Sequence, residues 1–220
     1  MASRIIHLAI SEIVSEHFSL DFMRFNLGNL LPDLHENTKE AKDISHFRIE
    51  REPYEDSEDF NYQYYDYNKF LQKYKDKIYD DLYLGYYCHL IADELWIQNI
   101  YIKYMRDENR KKRIYQQDNY YHDYSRLNQI IRDKYNLKMN VVFEDVEILE
   151  IHSKKISELK SELEYDFNTR YDDLDLLLFD YDDIRIYIEE TSSIIIKDLE
   201  QKNLRYSKGE RGKDYGKHDE

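Results

Sequence analysis

Tyr83-Leu-Gly-Tyr-Tyr-Cys-His-Leu-Ile-Ala-Asp-Glu-Leu-Trp96 is the stretch on which the reading of the fold turns. Leu84, Tyr87, Cys88, Ile91, Leu95, Gln98 and Ile102 recur every three or four positions and map a largely apolar stripe. The spacing predicts one long helix over Asp81 to Arg106, capped by Asp80 or Asp81. Within it His89 and Asp93 stand four positions apart, so both project from one face, one turn from each other. An imidazole and a carboxylate so placed can hold one divalent cation without bending the backbone. Spacing alone does not decide. With 8 His and this density of Asp, about one such pair is expected by chance, and His17 and Asp21 repeat it. Context says more. Gly85 inside a strong helix costs up to about 1 kcal/mol relative to Ala, which points to close packing or to a ligand's approach. A carboxylate among Leu, Ile, Cys and Trp is expensive to bury without a partner. Two readings stand: metal ligands, or a core pair hydrogen-bonded across a helix interface.

Outward from this helix, Ser3 reads as the cap of a first helix carrying Ile6, Ile10, Ile13 and Val14 on one face. A second apolar stretch, Phe22 to Leu31, contains Gly28 and stops at Pro32. Residues 33–58, polar and carrying Pro53, predict a long irregular connection, and a tyrosine-rich helix is expected from Asp59 to Tyr79. In that helix Tyr62, Tyr64, Tyr65 and Tyr67 either line a substrate channel or pack a helix face with wet hydroxyls. Further helices are expected over Asp118–Tyr135, with Tyr121, Leu127, Ile130 and Ile131 toward the core, over Glu144–Phe167, and over Tyr181–Gln201. The Asp172–Asp183 stretch fits a short helix or a turn. Residues 1–206 are thus expected to form one helical domain, and 207–220, with three Gly and little to bury, a disordered tail.

Composition agrees. The 220 residues (27.1 kDa) are 41% hydrophobic and 35% charged, yet 23 Tyr, 9 Phe and 1 Trp supply bulk for a core. Five Gly and two Pro argue against a many-turned β fold. A net charge of -14 disfavours stable binding of long nucleic acid, but not phosphate chemistry, because a bound divalent ion reverses the field of an acidic pocket. Cys88 stands alone, so disulfide frameworks and multi-Cys zinc modules are excluded. No signal-peptide pattern and no transmembrane-length apolar run occur, so a cytoplasmic protein is expected. Arg110, Lys111, Lys112 and Arg113 form the one basic run, an anion or membrane-surface contact or a solvated helix end. Gly-rich phosphate loops and Gly-x-Ser-x-Gly elbows are absent.

Four segments in order, Ser-Arg-Ile-Ile-His-Leu-Ala-Ile (3–10), Phe-Asn-Leu-Gly-Asn-Leu-Leu-Pro-Asp (25–33), Ser-His-Phe (45–47) and the 83–96 stretch, resemble the zinc-dependent phospholipase C family, especially its bacterial intracellular members. The resemblance covers residues 1–100 and is loose beyond them. It implies an all-α, single-domain helical bundle, of the fold shared with single-strand nucleases, with metal at one end. Carried over residue by residue, Asp33, His46, His89 and Asp93 resemble the ligands of one Zn²⁺ or other divalent metal, and Asp93 would bridge to a second ion touched by His7. Asp33 would be the catalytic residue, orienting or deprotonating the attacking water. After Asp93 the only histidines are His122, His152 and His218, none followed four residues later by Asp or Glu, so one or two ions are expected rather than the family's three. Asp118 and His122 are candidates for an additional metal site or, alternatively, a polar surface face. His35 reads as a partner of the ligands or an exposed loop residue, and His17 as structural or exposed. The function implied is a metal-dependent hydrolase of phosphoric esters, phospholipase C-like, acting on a phospholipid or a nucleotide. The alternatives are a single-strand nuclease or nucleotide phosphodiesterase, and a non-catalytic metal-stabilised binding module.

Overall fold

Ser3 opens the first helix as expected: its hydroxyl accepts the Ile6 N–H at 3.2 Å and starts α1 (Arg4–His17). The computed structural model describes residues 1–35, 38–50, 63–105, 110–148, 150–151 and 155–208, with the side chains of 50, 63–64 and 110–115 set aside. Asp21 caps α2 (Phe22–Leu30), which runs into a 3₁₀ turn at Leu31–Asp33 containing Pro32. Thr38 caps α3 (Lys39–Ser45). Then come β1 (Arg48–Glu50) and β2 (Gln63–Tyr65), α4 (Tyr67–Lys73), α5 (Asp81–Trp96), a π turn at Ile97–Tyr101, α6 (Ile102–Met105), α7 (Arg110–Lys134), α8 (Ile156–Asn168) and α9 (Tyr181–Gln201). Among the described residues the fold is all-α apart from one antiparallel pair, in which Arg48 faces Tyr65 and Glu50 faces Gln63.

The helix of the 83–96 stretch is the axis of the molecule. Every residue from Leu82 to Glu94 is buried, as befits a helix covered on all sides. α2 lies against it at backbone distance. A Cβ built on Gly28 would stand 1.9 Å from the Leu82 carbonyl oxygen, and one on Gly85 2.1 Å from that of Phe25. The glycine singled out in the sequence is therefore a point of helix–helix contact. α9 packs on both α1 and α5, and the Tyr187 hydroxyl donates to the Ala92 carbonyl at 2.7 Å. Among the described residues, a buried hydrophobic cluster runs from Ala2 to Leu204. No helix among the described residues is long and apolar enough to cross a membrane.

Several local expectations are corrected. The supposed irregular connection contains α3 and β1, and the tyrosine-rich segment begins, in its described part, as a strand. Glu94 explains the strand: its carboxylate accepts the Tyr65 N–H at 3.0 Å, while Asp66 caps α4 at Lys69. Residues 144–148 are neither helix nor strand, and the helix expected over Glu144–Phe167 is found as α8 from Ile156. Val141, Val146, Ile148 and Ile151 are each buried as isolated anchors, and Glu144 pairs with Arg24. Tyr121 is 62% exposed, whereas Leu127 and Ile131 are fully buried. The helix from Asp81 is interrupted at Ile97 by the π turn, an insertion that apolar spacing does not reveal. Ser207, assigned by sequence to the tail, bridges Phe18, and the Lys208 N–H donates to the His17 carbonyl at 3.0 Å; residues 209–220 lie outside the described residues.

Asp123 organises the segment before α9. It is fully buried and accepts the N–H groups of Leu177, Leu178 and Phe179 at 2.7–2.9 Å, with His122 Nδ1 also at 2.9 Å. Burial alone would push its carboxyl up, but these donors outweigh it and hold the pKa below the ordinary value. A lowered pKa contributes stability that is full above the unfolded carboxylate range and lost as pH falls through the folded value. Asp123→Ala should cost about 3–5 kcal/mol at neutral pH, since three N–H groups lose a charged acceptor. The penalty, read from urea unfolding, should shrink at acid pH; a variant as stable as the parent at pH 7 contradicts this role.

Candidate metal centre

Three elements converge on α5. Pro32 and the 3₁₀ turn bring Asp33 to the end of α2, and His46 closes α3 as its C-cap. Phe47 follows with φ 51°, a left-handed conformation costing about 1 kcal/mol in a residue with a side chain. Its buried ring lies edge-on to Phe70 at 5.3 Å, so packing sustains the turn that leads the chain from His46 into β1.

Asp33, His46, His89 and Asp93 each offer a ligand atom within 4.8 Å of all the others, forming a group able to hold a metal ion. His46 Nε2 lies 3.4 Å from Asp33 Oδ1 and 3.5 Å from Asp93 Oδ2; His89 Nε2 is 3.5 Å from the same Asp93 oxygen. The two Nε2 atoms face each other at 3.4 Å. His89 Nδ1 is 2.8 Å from the Asn29 carbonyl oxygen, which only accepts, so this Nδ1 carries a hydrogen. His46 Nδ1 stands 2.8 Å from the Ser45 hydroxyl and 3.1 Å from the Lys42 carbonyl oxygen. With its hydrogen on Nδ1 alone, each ring would turn an Nε2 lone pair toward the other ring and the two carboxylates. Asp33 Oδ1 and Asp93 Oδ2 are buried without a hydrogen bond. Two imidazoles and two carboxylates so gathered could hold a metal ion between them.

Asp93 faces two ways. Its Oδ1 accepts the Ala2 N–H at 2.9 Å and lies 3.4 Å from His7 Nε2. Neither ring nitrogen of His7 makes a hydrogen bond, and the ring stacks on His89 at 3.9 Å and 13°. The first residues are held there by the Tyr120 and Tyr124 hydroxyls, which both donate to the Met1 carbonyl. Burial raises the Asp93 carboxyl, but His89, His46 and His7 pull it well below the ordinary range; Asp33 is lowered in the same way, chiefly by His46. Burial lowers the His89 imidazole, yet Asp93 outweighs it and the net shift is upward, whereas burial and the charge of His89 bring His7 down.

Asp118 and His122 are not brought to this cluster: Asp118 is exposed, and His122 pairs with Asp123. His17 contacts Glu200 and Ser207 at 2.8 Å. The ring of His35 lies 5.7 Å from that of His46. His152, His218 and Tyr62, and the side chains of Tyr64 and of the basic run Arg110–Arg113, lie outside what is described. A cavity of about 450 Å³ is lined by Tyr65, Tyr67, Ile91, Glu94, Gln98 and Asp198 among others, so two of the tyrosines marked in the sequence border a cavity, but none of the four candidate ligands lines it.

Sequence reasoning passed over Lys42 and Arg48. Lys42 stands one helical turn before His46, and Arg48 two residues after it. Arg48 Nη2 donates to the Tyr65 hydroxyl at 3.0 Å, and its guanidinium lies over that ring at 5.3 Å. The i−4 spacing from His46 was the available signal for Lys42; Arg48 depends on the β1–β2 pairing.

Against protein-family models, curated proteins and solved structures, the chain shows no match.

Proposed function

We propose that the chain is a metal-dependent hydrolase of phosphoric esters, phospholipase C-like in its ligand order. The observation that carries this reading is the pair of imidazole Nε2 atoms, 3.4 Å apart, gathered with the carboxylates of Asp33 and Asp93. Asp33, His46, His89 and Asp93 would hold one ion, and His7 with the second oxygen of Asp93 a further one. A bound divalent ion supplies Lewis acidity toward a phosphoryl oxygen and makes water nucleophilic at neutral pH. Asp33 is the ligand nearest solvent, its side chain 14% exposed where His46, His89 and Asp93 are sealed. That exposure supports reading Asp33 as the residue that orients or deprotonates an attacking water. Asn29 and Lys42 carbonyls fix the rings of His89 and His46, so these imidazoles position rather than transfer protons.

The decisive experiment is hydrolysis of bis-p-nitrophenyl phosphate by the Zn²⁺- or Mn²⁺-loaded chain. Turnover should fall by at least about a hundredfold with chelator and in His89→Ala. Fully metal-loaded protein without turnover on mono- or diesters would remove the hydrolase reading. One feature favours a second reading, a metal-stabilised binding module: the ligands tie α2, α3 and α5 together in a site where three of the four are sealed from solvent.

A further inference from the structure

Tyr65 links the ligand cluster to the neighbouring cavity. Its ring lies 5.7 Å from the ring of His46, and the same residue lines the cavity of about 450 Å³. The side chain is 3% exposed. Its hydroxyl oxygen accepts from Arg48 Nη2 at 3.0 Å, and among the described residues no acceptor takes the hydroxyl's own hydrogen. A buried donor left unsatisfied carries a desolvation cost, which a ligand oxygen would remove. Burial, and then the charge of Asp93, push the phenol well above its ordinary pKa, so the hydrogen is in place at neutral pH.

The polar groups elsewhere on the cavity wall are already engaged. Glu94 accepts from the Tyr65 N–H and from Gln98, Asp198 is met by the Tyr87 hydroxyl and Lys202, and Asp66 caps α4. Ile49, Ile91 and Ile194 supply apolar surface, and the volume falls within the range of about 300–1,000 Å³ usual for small organic ligands. We infer that the Tyr65 hydroxyl is the general acid of the reaction, giving its proton to the oxygen that leaves phosphorus, and that the cavity receives the departing alcohol; this rests on the hydrolase reading above. As water bonds to phosphorus it yields a proton to Asp33. The bond from phosphorus to the ester oxygen breaks, the electron pair stays on that oxygen, and the Tyr65 proton joins it to give the alcohol. Arg48 steadies the phenolate until solvent returns a proton, and Asp33 releases its own.

Tyr65→Phe keeps the ring and the backbone N–H held by Glu94, and removes the O–H alone. In the zinc-loaded full chain, at unchanged zinc content, kcat/KM should fall about a hundredfold for methyl phenyl phosphate, whose phenolate is a poor leaving group. For methyl 4-nitrophenyl phosphate, whose nitrophenolate departs without a proton, the loss should stay within about threefold. A merely structural role would lower both alike. Should Tyr65→Phe not fold, the parent decides: its solvent deuterium isotope effect on kcat/KM should be larger for the phenyl ester, since Asp33 acts on both esters and the acid on one. Equal losses on the two esters, a loss below about threefold on the phenyl ester or, where the variant does not fold, equal isotope effects overturn the acid and leave the hydrolase standing. A loaded parent that turns over neither ester removes the hydrolase, and the acid with it.

Discussion

Asp93→Ala should abolish transition-metal binding. Protein purified without a metal-affinity tag and dialysed against Zn²⁺ is expected to hold one equivalent or more, and the variant less than about a tenth. The effect is large because Asp93 faces three imidazoles, with Oδ2 at 3.5 Å from His46 and from His89 and Oδ1 at 3.4 Å from His7. Acid should mimic the mutation. His46 and His89 bind metal only when Nε2 is free, and although burial lowers the His89 pKa, Asp93 raises it more, so protons compete for that ring at a higher pH than for an ordinary imidazole. Zinc occupancy should therefore fall on acidification from pH 8 to about pH 5, already in the upper part of that range. Removing the ion at a thousandfold excess over Kd forfeits about 4 kcal/mol, or roughly 10 °C in Tm. A wild-type chain that stays below a tenth of an equivalent in ample Zn²⁺ would return His89 and Asp93 to a buried hydrogen-bonded pair.

Gly85→Ala should be as damaging to the fold as Asp93→Ala is to the site. In a helix interior Gly→Ala ordinarily stabilises by about 0.5–1 kcal/mol, so the sign here is diagnostic. The added Cβ would fall 2.1 Å from the Phe25 carbonyl oxygen and 2.9 Å from the Asn29 nitrogen, both backbone atoms that no rotamer change can move. α2 and α5 must separate, and a loss of about 3 kcal/mol or more is expected, a fall in Tm of roughly 6–12 °C. Gly28→Ala, aimed at the Leu82 carbonyl from the other helix, should do the same. The damage reaches the metal centre, because the Asn29 carbonyl that orients His89 rides on α2. A Gly85→Ala variant at least as stable as the parent would overturn the backbone-distance contact of α2 with α5.

What the sequence disclosed depended on whether the determining forces were local. Ser3, Asp21 and Asp80 cap their helices through side chains acting two or three residues away, and the apolar pattern of α5 needs no partner to be recognised. The β1–β2 pair was hidden because the Tyr65 N–H is captured by Glu94, 29 residues distant. The stretch before α8 misled for the converse reason: its apolar residues fit a helix, but Val146, Ile148 and Ile151 are spent singly against the core. At the site, His89 and Asp93 had the right spacing, but so did His17 and Asp21. The structure separates them by their partners, since Asp21 is occupied in capping α2 at Arg24 and His17 meets Glu200, whereas Asp93 Oδ2 has no hydrogen-bond donor. The resemblance of 25–33 and 45–47 to phospholipase C segments drew attention to Asp33 and His46, and the geometry independently gathers both with the α5 pair.

The ligands are far apart in the chain, with 43 positions between His46 and His89 in contact through their Nε2 atoms. An ion coordinated by both would be a cross-link as much as a reagent, closing a loop that contains β1, β2 and α4. By the chain-entropy account used for disulfides, a closure of that length removes about 4 kcal/mol of freedom from the unfolded ensemble. The connection between α3 and α5 would then be tethered at both ends by the same ion. With Cys88 the single cysteine among these 220 residues, an internal disulfide cannot play that part, and an ion is the kind of cross-link that can.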